Sequence, residues 1–306
     1  MKYFNLLFFV FLSFSFQVQQ KLLLEKNIDA SYAPLSLRNE DSLDGIEIYN
    51  LTYLSDGLKV KGMMVKPEKS GKYPCIIYNR GGNRDFGALD KRIVAFFLGN
   101  LAKEGYIVIA SQYRGNAGGE GQEEFGGKDV NDVLILTEVL KEVEEADTSR
   151  IGMYGWSRGG MMTYIALTRT DKIKAAVVGG ANSDLTVIDR PNMETGVYAE
   201  LIPNYEENKE EELTKRSAIY WADQFPKNVP ILLLHGNADW RVKSTNSLKL
   251  ALEFEKYRIP YRLKIFEGGD HGIREFRLEV EKDIINWFNR YLRDGEALPN
   301  MEFHGK

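Results

Sequence analysis

Gly155-Trp156-Ser157-Arg158-Gly159-Gly160 decides how this chain is read. It joins a short apolar run, Ile151-Gly-Met-Tyr154, to an apolar helical pattern, Met161-Met-Thr-Tyr-Ile-Ala-Leu167. Strand, tight turn and helix in that order form a G-x-S-x-G elbow, which holds a serine in a strained backbone conformation. Side chains at 155 and 159 would collide with neighbouring backbone, so both positions call for glycine. The hydroxyl then stands at a helix start, where backbone N–H groups favour developing negative charge.

A nucleophilic serine needs a base, and the base needs an orienting carboxylate, here expected in the chain order Ser, Asp, His. Val229-Pro-Ile-Leu-Leu-Leu234 reads as a buried strand running into His235-Gly-Asn-Ala-Asp239. Tyr261-Arg-Leu-Lys-Ile-Phe266 runs likewise into Glu267-Gly-Gly-Asp-His271-Gly272. Both candidates therefore follow the carboxyl ends of strands, the edge at which open α/β sheets place their sites. Only three histidines are present. His304 lies in a polar tail and His235 is expected to brace its loop, which leaves His271 as the base. Asp239 is the preferred carboxylate and Asp270 its rival, since adjacent residues seldom aim at each other across a loop.

These segments carry a resemblance. Gly155-Trp-Ser157-Arg-Gly-Gly-Met-Met-Thr-Tyr164, Leu233-Leu-His235-Gly-Asn-Ala-Asp239-Trp-Arg-Val242 and Gly268-Gly-Asp-His271-Gly272 resemble the catalytic domain of the prolyl oligopeptidase family of serine peptidases. Tyr113-Arg-Gly-Asn-Ala-Gly-Gly-Glu-Gly121, Phe125-Gly-Gly-Lys-Asp-Val-Asn-Asp132 and Arg216-Ser-Ala-Ile-Tyr-Trp-Ala-Asp223 agree, so the likeness runs roughly from Leu51 to Leu292. It implies an α/β-hydrolase fold and acyl transfer to water through Ser157, Asp239 and His271. Members often carry a β-propeller ahead of this domain, and the residues before the first strand leave no room for one. Many carry tyrosine immediately after the serine as part of the specificity pocket. Here that residue is Arg158, so a preference for proline or alanine does not carry over.

The remaining chain fits an α/β architecture: a mainly parallel sheet with helices on both faces and a short insertion before the Asp-bearing strand. Residues 45–53 and 58–65 alternate like antiparallel strands around the turn Ser55-Asp56-Gly57. Strands at 75–78, 106–110, 150–154 and 174–178 then alternate with helices at 91–103 and 128–145. All-apolar strands in that rhythm argue a sheet covered on both sides. Residues 182–227 read as irregular, with Tyr198, Tyr205, Tyr220 and Trp221 left unassigned. Val280, Ile284, Trp287, Phe288 and Tyr291 form one helical stripe that belongs to the core.

The oxyanion of acyl transfer needs two donors. The backbone N–H of Arg158 is one candidate. The other is expected from Asn79-Arg80-Gly81-Gly82-Asn83, either the N–H of Gly81 or the Arg80 guanidinium. Gly115 to Gly127 lacks the Gly-Lys-Ser/Thr of a phosphate loop and reads as a flexible loop beside the cleft.

Net charge of −4 without a basic stripe argues against nucleic-acid binding. The scattered histidines and the single Cys75 match no zinc spacing, so neither metal nor cofactor is expected, and Cys75 is expected to pack as a small hydrophobe. Lys2 followed by Leu6-Leu-Phe-Phe-Val-Phe-Leu12 resembles a secretory signal peptide over residues 1–20. A secreted or periplasmic protein is expected, or one tethered by an uncleaved N-terminus. An extension over 21–44, a catalytic domain over 45–295 and a polar tail over 296–306 complete the expected organisation. The expected function is that of a serine hydrolase, a peptidase cleaving peptide bonds through an acyl-enzyme on Ser157. A carboxylesterase with the same three residues is the alternative, and an inactive binding protein of the same fold a remote one.

Overall fold

The computed structural model describes residues 31–35 and 45–305 of the chain, so the leader expected over 1–20 lies outside the described residues. Among the described residues there are nine strands: β1 (Ser31–Leu35), β2 (Ile46–Ser55), β3 (Leu58–Pro67), β4 (Tyr73–Asn79), β5 (Ile107–Ser111), β6 (Ala146–Trp156), β7 (Ile173–Gly179), β8 (Ile231–Gly236) and β9 (Tyr261–Phe266). They form one sheet in the order β1-β2-β3-β5-β4-β6-β7-β8-β9. Pairing is antiparallel from β1 through β3 to β5 and parallel from there to β9. The fold is that of an α/β-hydrolase. β1 falls inside the stretch expected to be only an extension, and it pairs with β2.

The β2–β3 hairpin closes on Ser55 opposite Leu58, with φ of 51° at Asp56 and 80° at Gly57. Positive φ at both central residues is what a two-residue turn needs to match strand twist, and Asp-Gly supplies it.

Because side chains alternate across a strand, each parallel strand feeds two cores. Cys75 and Ile77 of β4, Ile151 and Met153 of β6, and Ile231 and Leu233 of β8 enter one. Ile76 and Tyr78, Tyr154 and Trp156, and Leu232 and Leu234 enter the other. Buried Cys75 sits among these apolar groups, and burial pushes its thiol up to about 12. The first core is covered by α2 (Asp129–Leu134, with its continuation Leu136–Val139), α3 (Arg158–Leu167) and α5 (Thr245–Tyr257). The second is covered by α1 (residues 91–103) and by α6 (Arg277–Phe288). Val280, Ile284, Trp287 and Phe288 of α6 are all buried.

Four expectations need correction. The helix expected to reach Glu145 ends at Glu142, because Val143 turns extended at φ −96°, ψ 111°. The following strand starts at Ala146 rather than Arg150. Its first residues are polar, with the Asp147 carboxylate accepting from Ser149 N–H and Arg150 Nε, so they carry no apolar signal. Residues 182–227, expected to be irregular, hold helical turns at Glu194–Tyr198, Ala199–Leu201, Ala218–Tyr220 and Ala222–Gln224, and the helix α4 (Tyr205–Lys215). α4 buries only Tyr205 and Leu213, which is too few apolar residues to give a readable stripe. The loop from Gly115 to Gly127, expected to be flexible, is pinned from several sides. Gly115 N–H donates to Glu120 O, Glu120 N–H to Lys59 O, and the Asp129 carboxylate accepts from the N–H groups of Glu124 and Gly126.

Candidate active site

β6 ends at Trp156, and Ser157 follows with φ 57°, ψ −124° before α3 begins at Arg158. Its N–H donates to Gly179 O at 2.8 Å, which ties the elbow to the end of β7. A Cβ at Gly159 would stand 1.8 Å from Asn79 O, and one at Gly155 2.2 Å from Gly159 O. Neither can carry a side chain, so the turn closes tightly enough to lift Ser157 clear of the sheet.

β8 delivers Asp239 and β9 delivers His271 to the same edge. His271 Nδ1 lies 2.7 Å from Asp239 Oδ2. The other carboxylate oxygen of Asp239 accepts from the N–H groups of Arg241 at 2.8 Å and Val242 at 3.0 Å. Burial alone would raise the Asp239 pKa. The neighbouring His235 ring, 3.4 Å away, and the hydrogen bond from His271 outweigh it and hold the carboxyl well below the usual carboxylate range. His235 is fully buried; its Nε2 donates to Val242 O at 2.8 Å, and its Nδ1 accepts from Ser247 Oγ at 2.7 Å. Asp270 points elsewhere: it pairs with Arg274 at 2.6 Å and accepts from the N–H groups of Gly272 and Arg274. Trp156 Nε1 donates to His271 O at 2.8 Å and so fixes the histidine loop against the elbow. At Gly180, φ +52°, a Cβ would lie 3.4 Å from His271 Cε1, so this glycine leaves the ring its space.

The two residues considered as backbone donors for an oxyanion both adjoin Ser157. Arg158 is the first residue of α3, a position whose N–H has no acceptor within its own helix. Gly81 packs directly over the serine, since a Cβ there would be 3.2 Å from Ser157 Cβ and 3.9 Å from its Oγ. The Arg80 guanidinium is turned away and buried. It donates to the carbonyls of Gln112, Gly81, Phe86 and Arg84, and lies 5.2 Å from the Tyr113 ring. It holds the loop together rather than facing Ser157.

Ser157 and His271 open onto one cavity of about 440 Å³. One wall is apolar, with Phe125, Ile188, Met193, Val197 and Tyr198. Tyr198 is thus the insertion aromatic that reaches the cleft; Tyr205 packs behind it at 6.4 Å between ring centroids, and Trp221 stacks on Phe225 at 5.5 Å. The Arg158 side chain is buried at the base, between the Tyr113 ring at 4.8 Å and the Phe125 ring at 4.7 Å. It is paired with Glu123 and with Asp129, the latter at 2.6 Å. Burial penalises its charged form, and the two carboxylates more than restore it. Sequence reading missed Trp156, Gly180, Glu123 and Asp129 as parts of the site. Glu123 and Asp129 bracket Phe125 in a segment that already carried the family likeness, so a search for partners of Arg158 there was open.

A model of the prolyl oligopeptidase family matches residues 95–295. An uncharacterized peptidase of Bacillus subtilis, YtmA, is 32% identical over 220 residues, covering 70% of this chain and 82% of that protein. Human dipeptidyl peptidase 8 is 27% identical over 257 residues, covering 79% of this chain but only 27% of that protein. Among solved structures, Pyrococcus horikoshii acylaminoacyl peptidase superposes with a TM-score of 0.71 at 28% identity, over 85% of this chain and 44% of that one. An acetyl xylan esterase from Paenibacillus sp. R4 shares the fold, with a TM-score of 0.67 at 17% identity, over 89% of this chain and 93% of that one.

Proposed function

This chain belongs to the prolyl oligopeptidase family of serine peptidases, and from that premise we propose that it cleaves peptide bonds through an acyl-enzyme on Ser157. His271 takes the proton from Ser157 Oγ as the oxygen attacks the scissile carbonyl. Asp239 holds the imidazole in the tautomer that leaves Nε2 free to accept. The N–H groups of Arg158 and Gly81 receive the oxyanion of the tetrahedral intermediate. His271 then returns its proton to the leaving amine, and water repeats the sequence to release the acid.

One observation carries this reading: the 2.7 Å bond from His271 Nδ1 to Asp239, at the cavity where Ser157 stands in a strained turn. The apolar wall beside Ser157 suits an uncharged side chain of the acyl residue. Arg158 at its base, already balanced by Glu123 and Asp129, adds no free charge there. Turnover of matched alanine peptides and 4-nitrophenyl esters, by the wild type and by Ser157→Ala, tests the proposal. The expected result is hydrolysis of the peptides and a loss of at least about a thousandfold in the variant. Ester hydrolysis with inert peptides would assign a carboxylesterase instead. Activity retained above a tenth in Ser157→Ala would remove the serine from the mechanism.

A further inference from the structure

Of the charged side chains lining the cavity, most are neutralised within the protein. Asp184 pairs with Lys249 at 3.0 Å, Asp189 with Lys243 at 2.6 Å, and Arg274 with Asp270 at 2.6 Å. Arg158 has its two carboxylates. Two cations are left. Arg190 and Arg241 line the same cavity, and among the described residues neither guanidinium has an ion pair or a hydrogen bond. Both lie against Trp240, at 5.6 and 5.5 Å from its ring centroid, and Arg241 also lies 5.5 Å from the Phe86 ring. The aromatic faces present the two guanidinium forks without occupying their N–H donors. Burial, and next the charge of Arg241, lower the Arg190 pKa. The Asp239 charge attracts Arg190 weakly by comparison, and its oxygens are already engaged by His271, Arg241 N–H and Val242 N–H.

We propose that Arg190 and Arg241 form a carboxylate-binding subsite of the cleft, so that the enzyme favours substrates bearing an acidic group at one fixed distance from the bond cleaved. Two half-buried cations on one ring repel one another, and an anion that reaches them offsets that cost. The planar fork of arginine matches a carboxylate in bidentate fashion, with stronger bonds than a neutral carbonyl accepts. The carboxylate comes either from an Asp or Glu side chain or from the C-terminus of a short peptide. The inference rests on the hydrolase reading of this cleft, but its test does not depend on turnover.

The experiment uses a set of alanine-based peptides in which a single Glu or Gln is moved one position at a time, each as free acid and as C-terminal amide. Their kcat/KM values are measured with the wild type and Arg190→Gln, and their binding to Ser157→Ala by calorimetry. One position, or the free C-terminus, is expected to show a preference of at least about tenfold for the carboxylate, the size of one charge-assisted bond. The preference should fall as salt is raised and collapse towards unity in Arg190→Gln. Which arm shows it separates the side-chain source from the terminal one. Equal turnover and equal binding of acidic and neutral members at every position would overturn the subsite while leaving the peptidase reading intact. Failure of that reading looks different: no member is cleaved, and the binding comparison alone then decides on the subsite.

Discussion

Asp239 accepts from three groups, the ring of His271 and the amides of Arg241 and Val242, with His235 Nε2 a further 3.4 Å away, and this crowding is what keeps it ionised in a buried place. Its folded pKa lies below the unfolded one, so the stability it contributes is complete above the ordinary carboxylate value of about 4 and is lost as pH falls further. Thermal midpoints of the wild type and Asp239→Asn should therefore differ by a constant amount above about pH 5 and converge below about pH 4. Asp239→Asn should also lower kcat by about three to four orders of magnitude through the wrong imidazole tautomer. His235→Ala should cost stability, since Val242 O and Ser247 Oγ lose their partner, yet reduce kcat far less than His271→Ala. Arg158→Leu strands two buried carboxylates and is expected to destabilise by about 3–5 kcal/mol, read from urea denaturation. A loss below about 1 kcal/mol would show that Glu123 and Asp129 find other partners or protonate at little cost.

Among the elements, the elbow depends on backbone closeness more than on any side chain. Gly159→Ala places a methyl against Asn79 O, and a loss of at least about 1–3 kcal/mol with displacement of Ser157 is expected. Gly196, with open space around it and no positive φ, is the control: Gly196→Ala should stay within about 0.5 kcal/mol of the wild type. Equal midpoints for the two variants would mean that the elbow relaxes. The elbow was legible in the sequence because G-x-S-x-G sits between an apolar strand and an apolar helix. Most of the parallel strands were legible too, from their apolar stretches, and β9, which interleaves Arg262 and Lys264 with apolar residues, occupies the six residues expected of it. α4 was not, because its charged residues are held by local ion pairs such as Lys215 to Glu211 and Glu212, not by an apolar face. Nor was the order of the Gly115–Gly127 loop, whose Glu120 bonds to Lys59, far away in sequence.

At the scale of the whole molecule, the sheet brings together three strand ends that lie far apart in the chain, and the rule that sites gather at those ends made Ser157, Asp239 and His271 readable together. Which face of the cleft is apolar and which is cationic was not readable. Arg190 comes from the insertion and Arg241 from the loop after β8, and only the tertiary fold sets them on one ring. Acyl transfer by serine and histidine needs no metal, so chelators are expected to leave peptidase activity unchanged, and loss on EDTA with recovery on zinc would contradict the mechanism. The central claim is that Ser157 is the nucleophile activated by His271. Its most direct measurement is peptide mapping by mass spectrometry after treatment with a fluorophosphonate, with residual peptidase activity followed in parallel. A single adduct on the peptide carrying Ser157, activity falling in step with labelling, and no adduct in His271→Ala is the predicted result. An adduct on another residue, or full peptidase activity in fully labelled protein, would contradict it.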